Sequence, residues 1–210
     1  MIIDHSHPMY RAKWKAAGKD RYNGAYYYSR EIVENIIPRV ETDRSWITVN
    51  VRDLACSHSI VFVHNNLHPE NYEWLKQYDD LVLVCGVPQT CEKVAHLGRA
   101  VYLPLSVDIA EVERFKRQKD RETAFAGRPS KAKGIPDGVD MLSGMPREDL
   151  LAEMARYEKV YAVGRTAIEA RVLGCKVLMY DERFPNPACW EPLDNAEAAK
   201  MLQAMLDEIG

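Results

Sequence analysis

The chain reads as an α/β protein built on parallel, doubly wound sheets. Three observations predict this. Short apolar, β-branched runs recur at residues 45–51, 59–63, 80–85, 100–103, 123–126 and 159–163. Helix-compatible stretches bounded by Pro or Gly fall between many of them. Several runs end at a glycine, notably Gly86, Gly127 and Gly164. Alternating strands and helices are the mark of crossover units, whose ligands sit at the carboxyl ends of the strands.

Taken in order, Ile2 and Ile3 open a short strand that ends at Asp4-His5-Ser6-His7. Residues 10–22 are basic and aromatic, with Arg11, Lys13, Trp14, Lys15, Lys19 and Arg21. This is either a solvated surface or a surface that contacts an acceptor or a nucleic acid. Asn23-Gly24 marks a turn into a helix over 25–37, stopped before Pro38. A glycine there lets a ligand approach the backbone. A strand over 45–51 leads to a short connecting helix at 53–57. The next strand, 59–63, ends at His64. A helix over 69–78 has Pro near its start. The apolar strand 80–85 ends at Gly86, with a helix at 88–97 and a strand at 100–103 behind it. Gly24, His64 and Gly86 are thereby expected at one crevice.

Residues 104–108 form a linker, and the charged stretch 109–122 is expected as a solvated helical connector. The strand 123–126 runs into Gly127-Arg128-Pro-Ser-Lys-Ala-Lys133-Gly134, three cations between two glycines. Such a loop suits a diphosphate, Arg by bidentate contact and Lys as a point charge, or it is simply solvated. After a short strand at 139–142, a helix over 146–156 carries acids in its first turn. The strand 159–163 then meets Gly164-Arg165-Thr166. Thr166 and Glu169 have the Thr-x-x-Glu spacing of a capping box, and Gly174 ends that helix. An apolar strand follows at 175–180. Backbone N–H groups at such a turn suit a phosphate; the plainer alternative is a capped helix with a solvated Arg165. An amphipathic helix over 195–209 closes the chain.

The 210 residues suffice for one large domain or two small ones, and 47% hydrophobic content supports a substantial core. A formal net charge of −3 gives no general nucleic-acid signature. The five cysteines form no Cys-x-x-Cys pair, as expected for reduced thiols of a cytoplasmic protein. The N-terminus lacks a basic segment followed by an apolar one, so no signal peptide is expected. No apolar run approaches the ~20 residues of a membrane span.

The order of three elements resembles the donor half of retaining, nucleotide-sugar-dependent glycosyltransferases of the GT-B fold. They are Val101-Tyr-Leu-Pro-Leu-Ser-Val-Asp108, the Gly127-Arg128…Lys133-Gly134 loop, and Gly164-Arg-Thr-Ala-Ile-Glu-Ala-Arg-Val-Leu-Gly174. The resemblance implies two small Rossmann-like lobes in a reduced GT-B architecture. The acceptor-side lobe would span residues 1–106 and the donor-binding lobe residues 107–210. It implies transfer of a sugar from a nucleotide-sugar donor, without a metal or other cofactor, to an acceptor of unassigned identity. Arg128 and Lys133 would neutralise the donor diphosphate and the charge that grows on it. Gly164, Arg165 and Thr166 would hold phosphate, and Glu169 would accept from the ribose hydroxyls. Gly24 resembles the turn that faces the donor, and His64 the histidine near the sugar. Tyr161 stands eight positions before Glu169, where the family carries an acid.

Two other readings stay open. One is a non-catalytic module that binds a nucleotide or sugar nucleotide. The other is a metal-dependent hydrolase: His5-x-His7 after a first strand resembles the first metal motif of amidohydrolase-type enzymes. His58, His64, His68 and His96 are the further histidines available to it.

Overall fold

The computed structural model describes residues 1–4, 6–8, 10–12, 24–49, 56–64, 69–127, 135, 137–179 and 186–210. The chain forms two compact units, Met1–Pro104 with Ala196–Gly210, and Leu105–Asn195. Both are α/β with parallel sheets, of five and four strands.

The first unit pairs β1 (Ile2–Ile3), β2 (Ser45–Ile47), β3 (Ser59–Val63), β4 (Leu81–Cys85) and β5 (Arg99–Tyr102) in that order. Every residue of β3 and β4 is buried, which explains their uninterrupted apolar sequence. Successive side chains serve opposite faces. On one face, Phe62 lies 6.2 Å from Trp46 and 6.4 Å from Tyr28 of α1 (Gly24–Glu31), ring centre to centre. On the other, Val61 and Leu83 join a core with Tyr72, Leu75 and Val94. Helical segments therefore cover both faces, as a doubly wound sheet requires. The strand order is sequential, however, with no reversal among the described strands.

Two helices differ in kind from expectation. The helix from Gly24 widens into a π-turn at Ile32–Ile36 and tightens into a 3-10 turn at Ile37–Arg39. Pro38 is tolerated there because it stands at the start of the 3-10 turn. The expected helix at 69–78 is a 3-10 helix, Pro69–Gln77. In this unit α2 spans Pro88–Val94. The connecting helix expected at 53–57 lies mostly outside the described residues.

The second unit opens with α3 (Ile109–Glu113). Asp108 caps it, its carboxylate accepting from the Glu111 N–H at 2.8 Å. The helix ends far short of 122, because Arg121 and Glu122 already belong to β6 (Arg121–Ala126). Next come β7 (Asp140–Leu142), α4 (Arg147–Met154), β8 (Tyr157–Tyr161), α5 (Arg165–Val172) and β9 (Lys176–Leu178). The sheet order is β7-β6-β8-β9. The chain steps from β6 to one side and returns on the other, so β6 and β8 are neighbours without being consecutive.

The carboxyl ends of α4 and α5 are lashed together by one side chain. Lys119 Nζ donates to the carbonyls of Ala155 and Leu173, both at 2.8 Å, and reaches Cys175 Sγ at 3.3 Å. A cation at two helix C-termini complements both dipoles. Burial pushes the Cys175 thiol up, against the pull of Lys119. Gly174 (φ +79°) closes α5 with a Schellman motif: its N–H bonds Arg171 O at 2.8 Å, and the Cys175 N–H bonds Ala170 O at 2.8 Å.

The closing helix, α6 (Asn195–Ile209), has the bounds that its amphipathic pattern predicts. All but its first residue falls within the first unit. It buries Ala198, Ala199 and Leu202. Gln203 exchanges hydrogen bonds with the Glu41 backbone, accepting at 2.6 Å and donating at 3.3 Å.

Candidate functional site

The strand reversal in the second unit defines a position for a ligand. In open parallel sheets the crevice lies outside the carboxyl ends of the two strands where the order reverses. Those strands are β6 and β8, paired Phe125↔Tyr161 at their carboxyl ends. Beyond β6 the chain continues into Gly127. Beyond β8 it continues through Ala162 and Val163 into Gly164, the residue before α5. Arg128 and Lys133, the cations expected to hold a diphosphate, lie outside the described residues.

Gly164 sits at φ +61°, ψ −139°, close to the region that only glycine occupies comfortably. A Cβ there would meet nothing nearer than Leu105 Cδ1 at 3.9 Å. The requirement for glycine is thus conformational rather than steric. A Gly164→Ala substitution is expected to destabilise the second unit by about 1–3 kcal/mol. Urea unfolding of the full chain measures it; a midpoint unchanged from the parent would contradict this account of the turn.

The capping box expected at Thr166 is not used. Gly164 precedes the helix without a side-chain cap, Arg165 is its first residue, and Thr166 is its second. The Glu169 carboxylate is committed elsewhere. It is 3% exposed. Its Oε1 accepts from Arg165 Nε at 2.9 Å and from Arg147 Nε at 3.0 Å. Arg147 also reaches Glu111 Oε1 with Nη1, at 2.9 Å. A largely buried chain Glu111–Arg147–Glu169–Arg165 thus joins the heads of α3, α4 and α5. Burial works against charge on Arg147, but the Glu169 and Glu111 carboxylates outweigh it and hold its pKa above the ordinary value.

Both α4 and α5 begin with an arginine. A cation at the first helical position opposes the macrodipole, which favours negative charge there. Two helix heads, each with an arginine, therefore converge on the Glu169 carboxylate at the carboxyl side of the sheet. Sequence reasoning singled out Arg165 and Glu169 but not Arg147. In the structure the Glu169 carboxylate, expected to accept from ribose hydroxyls, holds two guanidinium groups through Oε1.

In the first unit His64 follows β3 directly, and Val63 pairs with Cys85, so His64 and Gly86 follow neighbouring strand ends. Its ring meets Tyr28 edge-on, with centroids 5.2 Å apart. Tyr28 is four residues along α1 from Gly24, so the structure brings that helix to His64. The imidazole Nε2–H donates to the Thr48 carbonyl, and the His64 backbone N–H donates to Tyr72 Oη at 2.9 Å. Burial outweighs the Thr48 carbonyl and brings the His64 pKa down to about 4. The ring is neutral at physiological pH, and Nδ1 carries the lone pair.

Among the described residues, no group of three or more His, Cys, Asp or Glu is placed to hold a metal ion. His5 and His68 lie outside the described residues. His96 Nε2 bonds Glu73 at 2.7 Å, and His58 is bound by two aspartates. The Asp4 carboxylate accepts from Ser6 N at 2.9 Å and Ser6 Oγ at 2.6 Å. Among the described residues, no helix is long and apolar enough to cross a membrane. All five cysteines are free.

The fold defines a class: an α/β protein of two parallel-sheet units, with a strand reversal in the second. Comparison with family models, curated proteins and solved structures finds no match to this chain.

Proposed function

We propose that the second unit binds the diphosphate of a nucleotide sugar at the β6/β8 reversal, and that the protein transfers the sugar to an acceptor. The observation that carries this reading is the pair of helix heads bearing Arg147 and Arg165 beside the reversal, next to the strand that runs into Gly127-Arg128. Fixed cations and helix N-termini stabilise a phosphate and the charge that develops on a leaving diphosphate. On this reading Arg128 and Lys133 neutralise the diphosphate, the Gly164–Thr166 amides hold one phosphate, and Glu169 positions Arg165 and Arg147. Protein cations do the work that a metal does elsewhere, so the reaction needs no added metal.

A second reading is a nucleotide-binding module without turnover. Tyr161 at the end of β8, where an acid would hold the sugar, favours it, as does a Glu169 already engaged by two arginines. Thermal shift and calorimetry with UDP, GDP, ADP and their sugar conjugates, with and without EDTA, test the proposal. A ligand that binds the native state raises its stability by mass action. The expected result is selective, EDTA-insensitive stabilisation by one nucleotide. Binding without consumption of any donor would favour the module. Silence with every nucleotide, combined with a loss of stability on metal removal, would replace both readings with the His5/His7 hydrolase.

A further inference from the structure

At the amino edge of the five-stranded sheet, two non-glycine residues adopt left-handed backbone conformations, His58 at φ +57° and Asp80 at φ +54°. They immediately precede β3 and β4. The His58 ring lies between two carboxylates: Nδ1 is 2.5 Å from Asp80 Oδ2, and Nε2 is 3.0 Å from Asp43 Oδ1. A carboxylate only accepts hydrogen bonds, and a neutral imidazole has a single N–H. Both contacts are hydrogen bonds only if the ring is an imidazolium.

We propose that His58 is a proton-operated clasp that ties the segment before β2 to the segment before β4, and that its release frees the segment holding the C-terminal helix. The charged groups around the ring are few. Asp43 and Arg44 come from the lead-in to β2, and Asp80 from the lead-in to β4. Arg44, 8% exposed, bonds Asp80 Oδ1 at 2.9 Å and its carbonyl at 3.0 Å. The backbone tightens the same corner: the His58 N–H bonds Asp79 O at 3.1 Å, and the Ser45 N–H bonds His58 O at 3.1 Å. On the ring's own segment, Ser57 Oγ accepts from the Asp79 N–H at 3.0 Å, and Cys56 Sγ lies 3.2 Å from Ser59 Oγ.

Loss of the proton to solvent leaves one N–H. It stays with Asp80, the nearer partner, which Arg44 also holds. The contact that opens is therefore the one to Asp43, whose side chain is 88% exposed. Asp43 is two residues from Glu41, and the Glu41 backbone is where Gln203 of α6 is fastened. The clasp and that fastening share one short segment, so opening the first loosens the second.

Hydrogen bonds first to Asp80 and then to Asp43 hold the His58 pKa above its ordinary value. A group whose folded pKa is raised contributes stability below the unfolded value and loses it as pH rises through the folded one. The window thus opens at about pH 6.5 and extends upward.

NMR titration of the imidazole in the full chain, with amide exchange at residues 41–44 and along α6, tests the clasp. His58 should titrate above the ordinary histidine value, and Asp43→Asn should bring the midpoint down towards it. Exchange at Glu41 and around Gln203 should accelerate severalfold through that midpoint, beyond the rise common to other amides. His58→Asn preserves the left-handed backbone, which asparagine tolerates, and should remove the pH step. A midpoint at or below the ordinary value, or the same step in His58→Asn, overturns the proposal.

Discussion

Glu169→Ala should destabilise the second unit by about 3–5 kcal/mol. The carboxylate is buried and shared by Arg147 and Arg165. Removing it takes a shared buried acceptor from two guanidinium groups, Arg147 keeping only its Glu111 contact of the two carboxylates, and each stands at a helix head whose dipole already disfavours positive charge. Glu169→Gln should cost less, because its amide oxygen still accepts from one arginine. Urea unfolding of the full chain, followed by a probe in each unit, reads the effect. With two units, a single transition is not assumed, and the loss should appear in the transition that reports on residues 105–195. A fall confined to the other transition, or a Gln variant as damaged as the Ala variant, would show that the arginines draw their support from elsewhere.

The second large effect concerns activity. On the proposed donor reading, Arg128→Ala should lower transfer about 10²–10³-fold, the usual cost of removing one preorganised group that stabilises developing charge. Arg128→Lys should recover part of the loss, since the charge remains while the bidentate geometry goes. Unfolding midpoints should stay near the parent's in both variants. The decisive comparison is single-turnover transfer with donor in excess. If Arg128→Ala turns over at the parent rate, the Gly127–Gly134 loop has no part in the chemistry.

The strands were the most legible part of the sequence. β3 and β4 are buried on both sides, so their apolar runs stand out against any neighbour. The short edge strand β1 was found because two isoleucines open the chain. The helices were harder because their kind depends on hydrogen-bond spacing rather than apolar pattern. Residues 69–77 carry an amphipathic pattern and still form 3-10 turns. Two similar capping signals behave differently in the structure. Both Asp108-x-x-Glu111 and Thr166-x-x-Glu169 have the spacing, but the first caps a helix and the second does not. Gly164 already turns the chain into α5, so Thr166 falls inside the helix and Glu169 is free to meet Arg147.

The site divided in the same way. Gly164, Arg165 and Glu169 lie within one short stretch and were singled out from it, but not the ion pair between Arg165 and Glu169. Arg147 meets Glu169 across 22 positions of sequence, and nothing local announces the pairing. One signal was present: Pro146-Arg147 and Gly164-Arg165 both place an arginine at the first position of a helix, against the dipole. Two such placements in one chain mark a place where negative charge is wanted. His58 was visible only as a spare histidine. Its partners Asp43 and Asp80 come from separate loops, and only the pairing of β2, β3 and β4 brings them to one ring.

The position of α6 has a consequence for how the protein is made. The five strands of the first unit pair in the order in which they leave the ribosome, each with its predecessor. Pairing of that kind needs no long loop to close first, and a nascent chain can begin it early. The helix that seals Ala198, Ala199 and Leu202 into this unit is nevertheless the last 15-residue helix of the chain. The sheet is complete by Tyr102, but the helix that packs with its unit follows every residue of the second.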